Sequence, residues 1–210
     1  MAVSKTFPAT AILEAASLGL TLFGENRVQE FALKAPGVAA SPIRVHLIGH
    51  LQSNKARRAA ELFDGIDSVD SLRLAERLNE AAAGLGTRIP VLLEVKLSPE
   101  ETKSGLRPED GETGELLKRL PDLCNLEARG LMTIAPWGAP DEVTRACFRS
   151  LRNWRDRWAQ AHPRLSLDAL SMGMSGDFAL AIEEGSTRIR IGTALFGKRA
   201  KPPRSDEEPA

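Results

Sequence analysis

Several polar residues in this sequence stand at the ends of short apolar runs: Lys5, Glu25-Asn26, Gly49-His50, Lys96, Met174-Ser175 and Gly192-Thr193. Lys5 closes the run Ala2-Val3-Ser4. An amine that is partly withdrawn from water loses some of its preference for the charged form and becomes a nucleophile towards carbonyl carbon. Gly192-Thr193 offers a different chemistry, because glycine lets the backbone come close to an anion and threonine adds a hydroxyl donor. Taken singly, each has an ordinary reading: a lysine is usually a solvated surface residue, and Gly-Thr is usually a turn. Lys96 is a rival nucleophile, but strand alternation puts it on the side of Glu94, and pairing with that carboxylate would keep it protonated. His46 and His50 read as structural histidines. Asn54-Lys55-Ala56-Arg57-Arg58 has no aromatic partners for stacking and reads as a solvated helix face. Cys124 and Cys147 are too few for a disulfide framework and show no metal-ligand spacing, so no metal is expected.

The elements that must position these residues alternate along the whole chain. Strands are predicted at Ala2–Lys5, Thr21–Glu25, Arg44–Gly49, Ile66–Val69, Pro90–Leu97, Leu126–Ile134, Leu167–Met172 and Arg188–Ile191. Helical patterns fall between them at about 8–18, 28–34, 53–63, 72–83, 109–119, 141–161 and 177–184. Repeated βα units call for a parallel sheet covered by helices. Eight such units predict one closed (β/α)8 TIM barrel over residues 1–197, with active residues at the carboxyl ends of its strands. The rival, an open doubly wound sheet, is weakened because no G-x-G-x-x-G follows the first strand. Residues 198–210, with mixed charges and three prolines, are expected to form a disordered tail.

Composition sets limits. Lys+Arg and Asp+Glu both total 28, so zero formal charge gives no reason to expect nucleic acid or an anionic membrane as partner. Lys5, Pro8, Glu14 and Glu25 interrupt the apolar residues near the N-terminus, which therefore reads as neither signal peptide nor membrane span. A reducing, cytoplasmic setting and a monomer are the expectations.

The strand ends also carry a resemblance. Ala2-Val3-Ser4-Lys5-Thr6, Gly24-Glu25-Asn26-Arg27-Val28-Gln29-Glu30 and His46-Leu47-Ile48-Gly49-His50-Leu51-Gln52-Ser53-Asn54-Lys55 come in order. Gly130-Leu131-Met132, Ser171-Met172-Gly173-Met174-Ser175 and Arg190-Ile191-Gly192-Thr193 follow. With these motifs the chain resembles the pyridoxal phosphate homeostasis proteins, the YggS/PROSC family, whose fold is that of the N-terminal barrel of alanine racemase. The resemblance implies pyridoxal 5′-phosphate (PLP) as cofactor, held as a Schiff base by Lys5. It implies phosphate contacts from Ser175, Gly192 and Thr193, with Met174 packed beside that loop. Asn26 is implied near the ring hydroxyl or the imine, and Arg190 facing the pyridine nitrogen, where a guanidinium keeps that nitrogen unprotonated. Arg188 shares Arg190's side of its strand; for either arginine the other reading is a salt-bridged barrel residue.

The implied role is PLP and amino-acid homeostasis, meaning cofactor buffering or delivery to apo-enzymes, with no catalytic residues. The alternative is a PLP-dependent racemase or another PLP enzyme. Alanine racemase takes its second base from a tyrosine on a further domain, and this sequence contains no tyrosine. Family members also carry a helix before the Val-Ser-Lys motif, whereas Met1 is four residues from Lys5. So short a first strand is expected to make few hydrogen bonds to the eighth, leave Lys5 near a mobile end and weaken PLP binding.

Overall fold

The computed structural model describes residues 1–98 and 104–197; the segment expected to be a disordered tail lies outside them. Eight parallel strands run in sequence order: β1 (Ala2–Val3), β2 (Leu22–Glu25), β3 (Arg44–Leu47), β4 (Gly65–Val69), β5 (Ile89–Glu94), β6 (Leu126–Met132), β7 (Ala169–Met174) and β8 (Arg188–Arg190). Each pairs with the next, and Ala2 bridges back to Ile191 in parallel. The ring is closed there by Val3 N–H on the Ile191 carbonyl (2.8 Å) and Ile191 N–H on the Met1 carbonyl (3.0 Å). This is the predicted (β/α)8 barrel, and β1 is indeed short, although it is bonded on both sides.

The helices are α1 (Ala9–Ser17), α2 (Val28–Val38), α3 (Ala56–Leu62), α4 (Leu72–Gly84), α5 (Gly111–Arg119), α6 (Asp141–Ala161), α7 (Phe178–Glu183) and α8 (Thr193–Phe196). Ser71 caps α4 by accepting the Leu74 N–H. Acidic Asp141 and Glu142 open α6, whose inner face carries Thr144, Cys147, Phe148, Leu151 and Trp158. Two differences from the periodicity stand out. Helix α2 runs on through Pro36 instead of stopping at Lys34, because Phe31 and Val38 bury the same face on either side of the proline. Helix α8 adds an eighth helix; four residues are too few to show a 3.6-residue period. Among the described residues, no helix is long and apolar enough to cross a membrane.

Most of the core lies between sheet and helices, where Phe23, Leu47, Ile66, Leu93, Leu131 and Leu170 meet the helical ring. The interior of the barrel is more polar than the branched apolar layers usual in this fold. Arg188 of β8 donates to the Asp67 carboxylate of β4 at 2.9 Å. These strands are four apart in an eight-stranded ring, so that bond spans the lumen. Asp67 also holds His46 Nδ1 at 2.8 Å, and both residues are buried. Asp67, His46 and Arg188 thus fill the lumen with a satisfied charge cluster, the structural role expected of His46.

Gly65 makes room for that cluster. A Cβ at Gly65 would fall 2.6 Å from the His46 ring, which Asp67 holds in place. Gly65→Ala is therefore expected to cost about 1–3 kcal/mol through overpacking. Gly84 ends α4 with nothing within 4 Å of an added Cβ, so Gly84→Ala should stabilise by about 0.5–1 kcal/mol. Urea unfolding of the two variants checks both signs.

Candidate functional site

The backbone around Lys5 is held from the helix side. Ser4 and Glu25 are wholly buried and joined, Ser4 Oγ donating to Glu25 Oε1 at 2.7 Å. Lys34 of α2 reaches both, with Nζ 2.9 Å from Glu25 Oε1 and 3.1 Å from the Ser4 carbonyl. Ser4 and Glu25 thus face α2. Since side chains alternate along a strand, the next residues, Lys5 and Asn26, face the barrel mouth. Both are half-buried.

Thr6 follows Lys5 with φ 71°, a left-handed conformation that costs a β-branched residue on the order of 1–3 kcal/mol. Its N–H is captured by Glu30 Oε1 at 2.5 Å, and the same oxygen accepts from Lys34 Nζ at 2.7 Å. The peptides on both sides of Lys5 are therefore fastened to one ion cluster. Burial pushes the Glu25 carboxyl above its ordinary value, against the pull of Ser4 and Lys34. Burial opposes ionisation of Glu30 as well, but Lys34 and the Thr6 amide outweigh it, and that carboxyl lies below its ordinary value. Sequence reasoning missed Lys34 and Glu30 as supporting residues; their i,i+4 spacing was the available signal.

The loops after β7 and β8 meet beside β1. The Ala194 N–H donates to Ser175 Oγ at 3.3 Å, and Asp177 Oδ1 accepts the Met174 N–H at 2.5 Å. Gly192 lies against β1, where an added Cβ would be 3.4 Å from the Val3 carbonyl oxygen. The ends of β1, β7 and β8 converge, bringing Lys5 to the same rim as Ser175, Gly192 and Thr193. Two hydroxyls and two glycine-containing turns suit a phosphate, which needs short donors and close backbone. Met174 is half-buried at the foot of this loop, paired in register with Arg190.

Arg190 is buried, donating to Ser171 Oγ at 2.9 Å and to the Thr133 carbonyl at 2.8 Å. Burial draws its pKa down, but a guanidinium remains charged at any physiological pH. The two arginines of β8 thus have different surroundings: Arg188 is tied to Asp67, and Arg190 lies one inward position nearer the mouth. His50 is exposed and pairs with Asp70 at 3.1 Å. Arg57 and Arg58 both lie against Glu61, as a solvated helix face would.

A cavity of about 240 Å³ opens on the β2–β6 side of the mouth, lined by Asn26, His50, Glu94, Lys96, Ser104 and Ile134 among others. Glu94 accepts from Ser104 Oγ at 3.4 Å, and burial, reinforced by the Asp70 charge, pushes its carboxyl above the ordinary value. Among the described residues no group of histidine, cysteine and carboxylate side chains could hold a metal ion.

Residues 1–200 match the family model described as the alanine racemase N-terminal domain. A pyridoxal phosphate homeostasis protein of Vibrio cholerae is 46% identical over 208 residues, covering 95% of this chain and 84% of that one. A protein of the same name from Pseudomonas aeruginosa is 46% identical over 200 residues, with the same coverage. Among solved structures, PipY of Synechococcus elongatus with PLP bound is 46% identical with a TM-score of 0.89, covering 94% of this chain and 91% of that one. Alanine racemase of Clostridium difficile superposes with a TM-score of 0.78 at 16% identity, covering 98% of this chain and 53% of that one. That last likeness concerns the barrel alone.

Proposed function

Because the chain belongs to the alanine racemase N-terminal domain family, and within it to the pyridoxal phosphate homeostasis proteins, we propose that it binds PLP reversibly at the barrel mouth and serves as a store and donor of it. The observation that carries this reading is the convergence of β1, β7 and β8. It supports the reading by bringing the β1 end that carries Lys5 together with the Ser175 and Gly192-Thr193 turns, and the PLP-bound PipY fold is similar. PLP supplies an aldehyde that an amine captures reversibly; the chain's own residues do the rest. Lys5 is the capturing amine, held in place by peptides that Lys34 and Glu30 fasten. Ser175, Thr193 and the Gly192 backbone hold the phosphate, Met174 packs beside it, and Asn26 donates at the aldehyde end. Arg190 would set a fixed positive charge facing the pyridine nitrogen and discourage its protonation.

Storage is favoured over catalysis by the names of the relatives. We read the protein as a monomeric cytoplasmic carrier that hands PLP to apo-enzymes; Cys124 and Cys147, neither of them in a disulfide, suit a reducing compartment. The test mixes PLP-loaded protein with an apo form of a PLP-dependent enzyme, alongside a phosphatase that destroys free PLP. Activity is expected to return from the loaded protein and not from an equal amount of free PLP. Equal, poor recovery from both would reject the donor role, and racemisation of L-alanine by the loaded protein would reject the non-catalytic one. Ser175→Ala and Thr193→Ala should each weaken PLP about tenfold, the loss of one hydrogen bond to a charged group, as measured by titration in visible light.

A further inference from the structure

A groove on the outer wall of the barrel, between α3 and α4, has no part in the mouth or the core. It holds about 540 Å³, within the roughly 300–1,000 Å³ of small-molecule sites. One wall is a single face of α4, where Arg73, Arg77, Glu80, Ala81 and Gly84 follow one another at helical spacing. The facing wall is Ala56 and Arg57 of α3, with Ser53 and Asn54 in the turn before it. From Arg73 to Gly84 the helix rises about 16 Å, so the groove is long enough for an extended ligand.

Its two halves differ. Arg57, Arg73 and Arg77 belong to the opening turns of α3 and α4, which start at the carboxyl ends of β3 and β4, so positive charge gathers at the end nearer the mouth. A neighbouring cavity shares Ser53, Asn54 and Arg73 and reaches His50 and Asp70 there. Few acids oppose these arginines. Among the described residues no carboxylate pairs with Arg73. Glu61 is shared between Arg57 at 3.4 Å and Arg58 at 3.0 Å, and Arg77 has only Glu80, in an exposed pair of little energy. The far half is small and apolar: Ala81, Gly84 and Leu85, with open space above Gly84. A ligand that matches both halves carries several negative charges at one end and a flat ring at the other. We propose that this groove is a site for a nucleoside polyphosphate, with its phosphates on Arg57, Arg73 and Arg77 and its base over Ala81, Gly84 and Leu85. The guanidinium forks suit phosphate oxygens, and Glu80, between the halves, accepts from the sugar hydroxyls. Nothing in this assignment depends on the PLP reading.

Equilibrium dialysis of the full chain against ATP tests it, without magnesium so that the arginines meet the bare anion. One site of micromolar affinity is expected, and its occupancy should be the same with and without PLP. Adenosine, which lacks the phosphates, and inorganic triphosphate, which lacks the ring, should each bind at least about tenfold more weakly. Arg73→Gln and Arg77→Gln should each weaken ATP about five- to tenfold. Arg157→Gln removes the same charge from α6, on another wall of the barrel, and should leave ATP binding unchanged. All three side chains are exposed, so the variants should fold, as thermal melting checks. No retention of ATP, equal affinity in Arg73→Gln, Arg77→Gln and the parent, or an equal loss in Arg157→Gln overturns the proposal. Inorganic triphosphate that binds as tightly as ATP also overturns it, by leaving an anion patch with no place for a nucleoside. Displacement of ATP by PLP does so too, because it puts the nucleotide at the mouth.

Discussion

Lys5→Ala should abolish the borohydride-reducible PLP adduct and weaken PLP by at least about 100-fold, the equivalent of roughly 2.8 kcal/mol. The phosphate contacts proposed for Ser175, Gly192 and Thr193 would not depend on Lys5, so weak, non-covalent binding should persist with its visible band shifted to that of the free aldehyde. Peptide mapping after reduction of the parent protein should place the adduct on Lys5. Lys96, at the end of β5, is the informative control: it too lines the mouth, but on the far side of Asn26 from the phosphate loops. A reducible adduct that survives in Lys5→Ala and maps to Lys96 would move the cofactor across the mouth and overturn the site as described.

The second large effect concerns a residue that never touches the cofactor. Lys34→Met leaves the fully buried Glu25 carboxylate with Ser4 Oγ but without its cation. Breaking a buried pair from one side costs about 3–5 kcal/mol, because the remaining charge is stranded away from water. Two hydrogen bonds that position Lys5, to the Ser4 carbonyl and to Glu30, go with it. PLP affinity should therefore fall as well, and Glu30 should hold Thr6 less firmly in its left-handed turn. The pH dependence separates this cause from simple loss of packing. Glu25 already lies above its ordinary value, and removal of Lys34 raises it further. A carboxyl with a raised folded-state pKa contributes stability below its unfolded value, about 4.3, and loses it as pH rises through the folded value. The deficit of Lys34→Met should accordingly be large at pH 7 and shrink on acidification towards that range, as read from urea midpoints. A deficit constant with pH would mean that lost packing, not a stranded charge, is responsible.

Much of this was legible in the sequence, for physical reasons that also mark where legibility ends. Strand β5 and helix α6 announce themselves because an apolar run and a long 3.6-residue stripe are local patterns. The ordered strand-end motifs pointed to Lys5, Asn26, Ser175, Arg190, Gly192 and Thr193 as candidates, because barrels place polar residues at the carboxyl ends of their strands. Helix α2 was expected to end at residue 34, and tertiary packing carries it on through Pro36. Arg188 and Asp67 are 121 residues apart in sequence and four strands apart in the ring, so no local pattern could pair them. The role of Lys34 was hidden in the same way: its spacing from Glu30 was visible, but not that Glu25 and Ser4 turn outward to meet it. Strand alternation put Glu94 and Lys96 on the same side, and both line one cavity at the mouth.

The seam between β1 and β8 has a thermodynamic consequence. Among the described residues a few main-chain bonds complete the ring there, carried by Met1, Val3, Ile189 and Ile191, and the residues flanking the seam are those proposed for PLP: Lys5 on one side, Gly192 and Thr193 on the other. A ligand bonded to both sides acts as a clasp, and its binding energy adds to the cost of parting them. By mass action, PLP at 100 times its Kd should add about 2.7 kcal/mol to the unfolding free energy. That gain should be concentrated at the seam, so that hydrogen exchange slows most at the Val3 and Ile191 amides and least on the far wall at β4 and β5. Cofactor occupancy and closure of the ring would then be two readings of a single equilibrium.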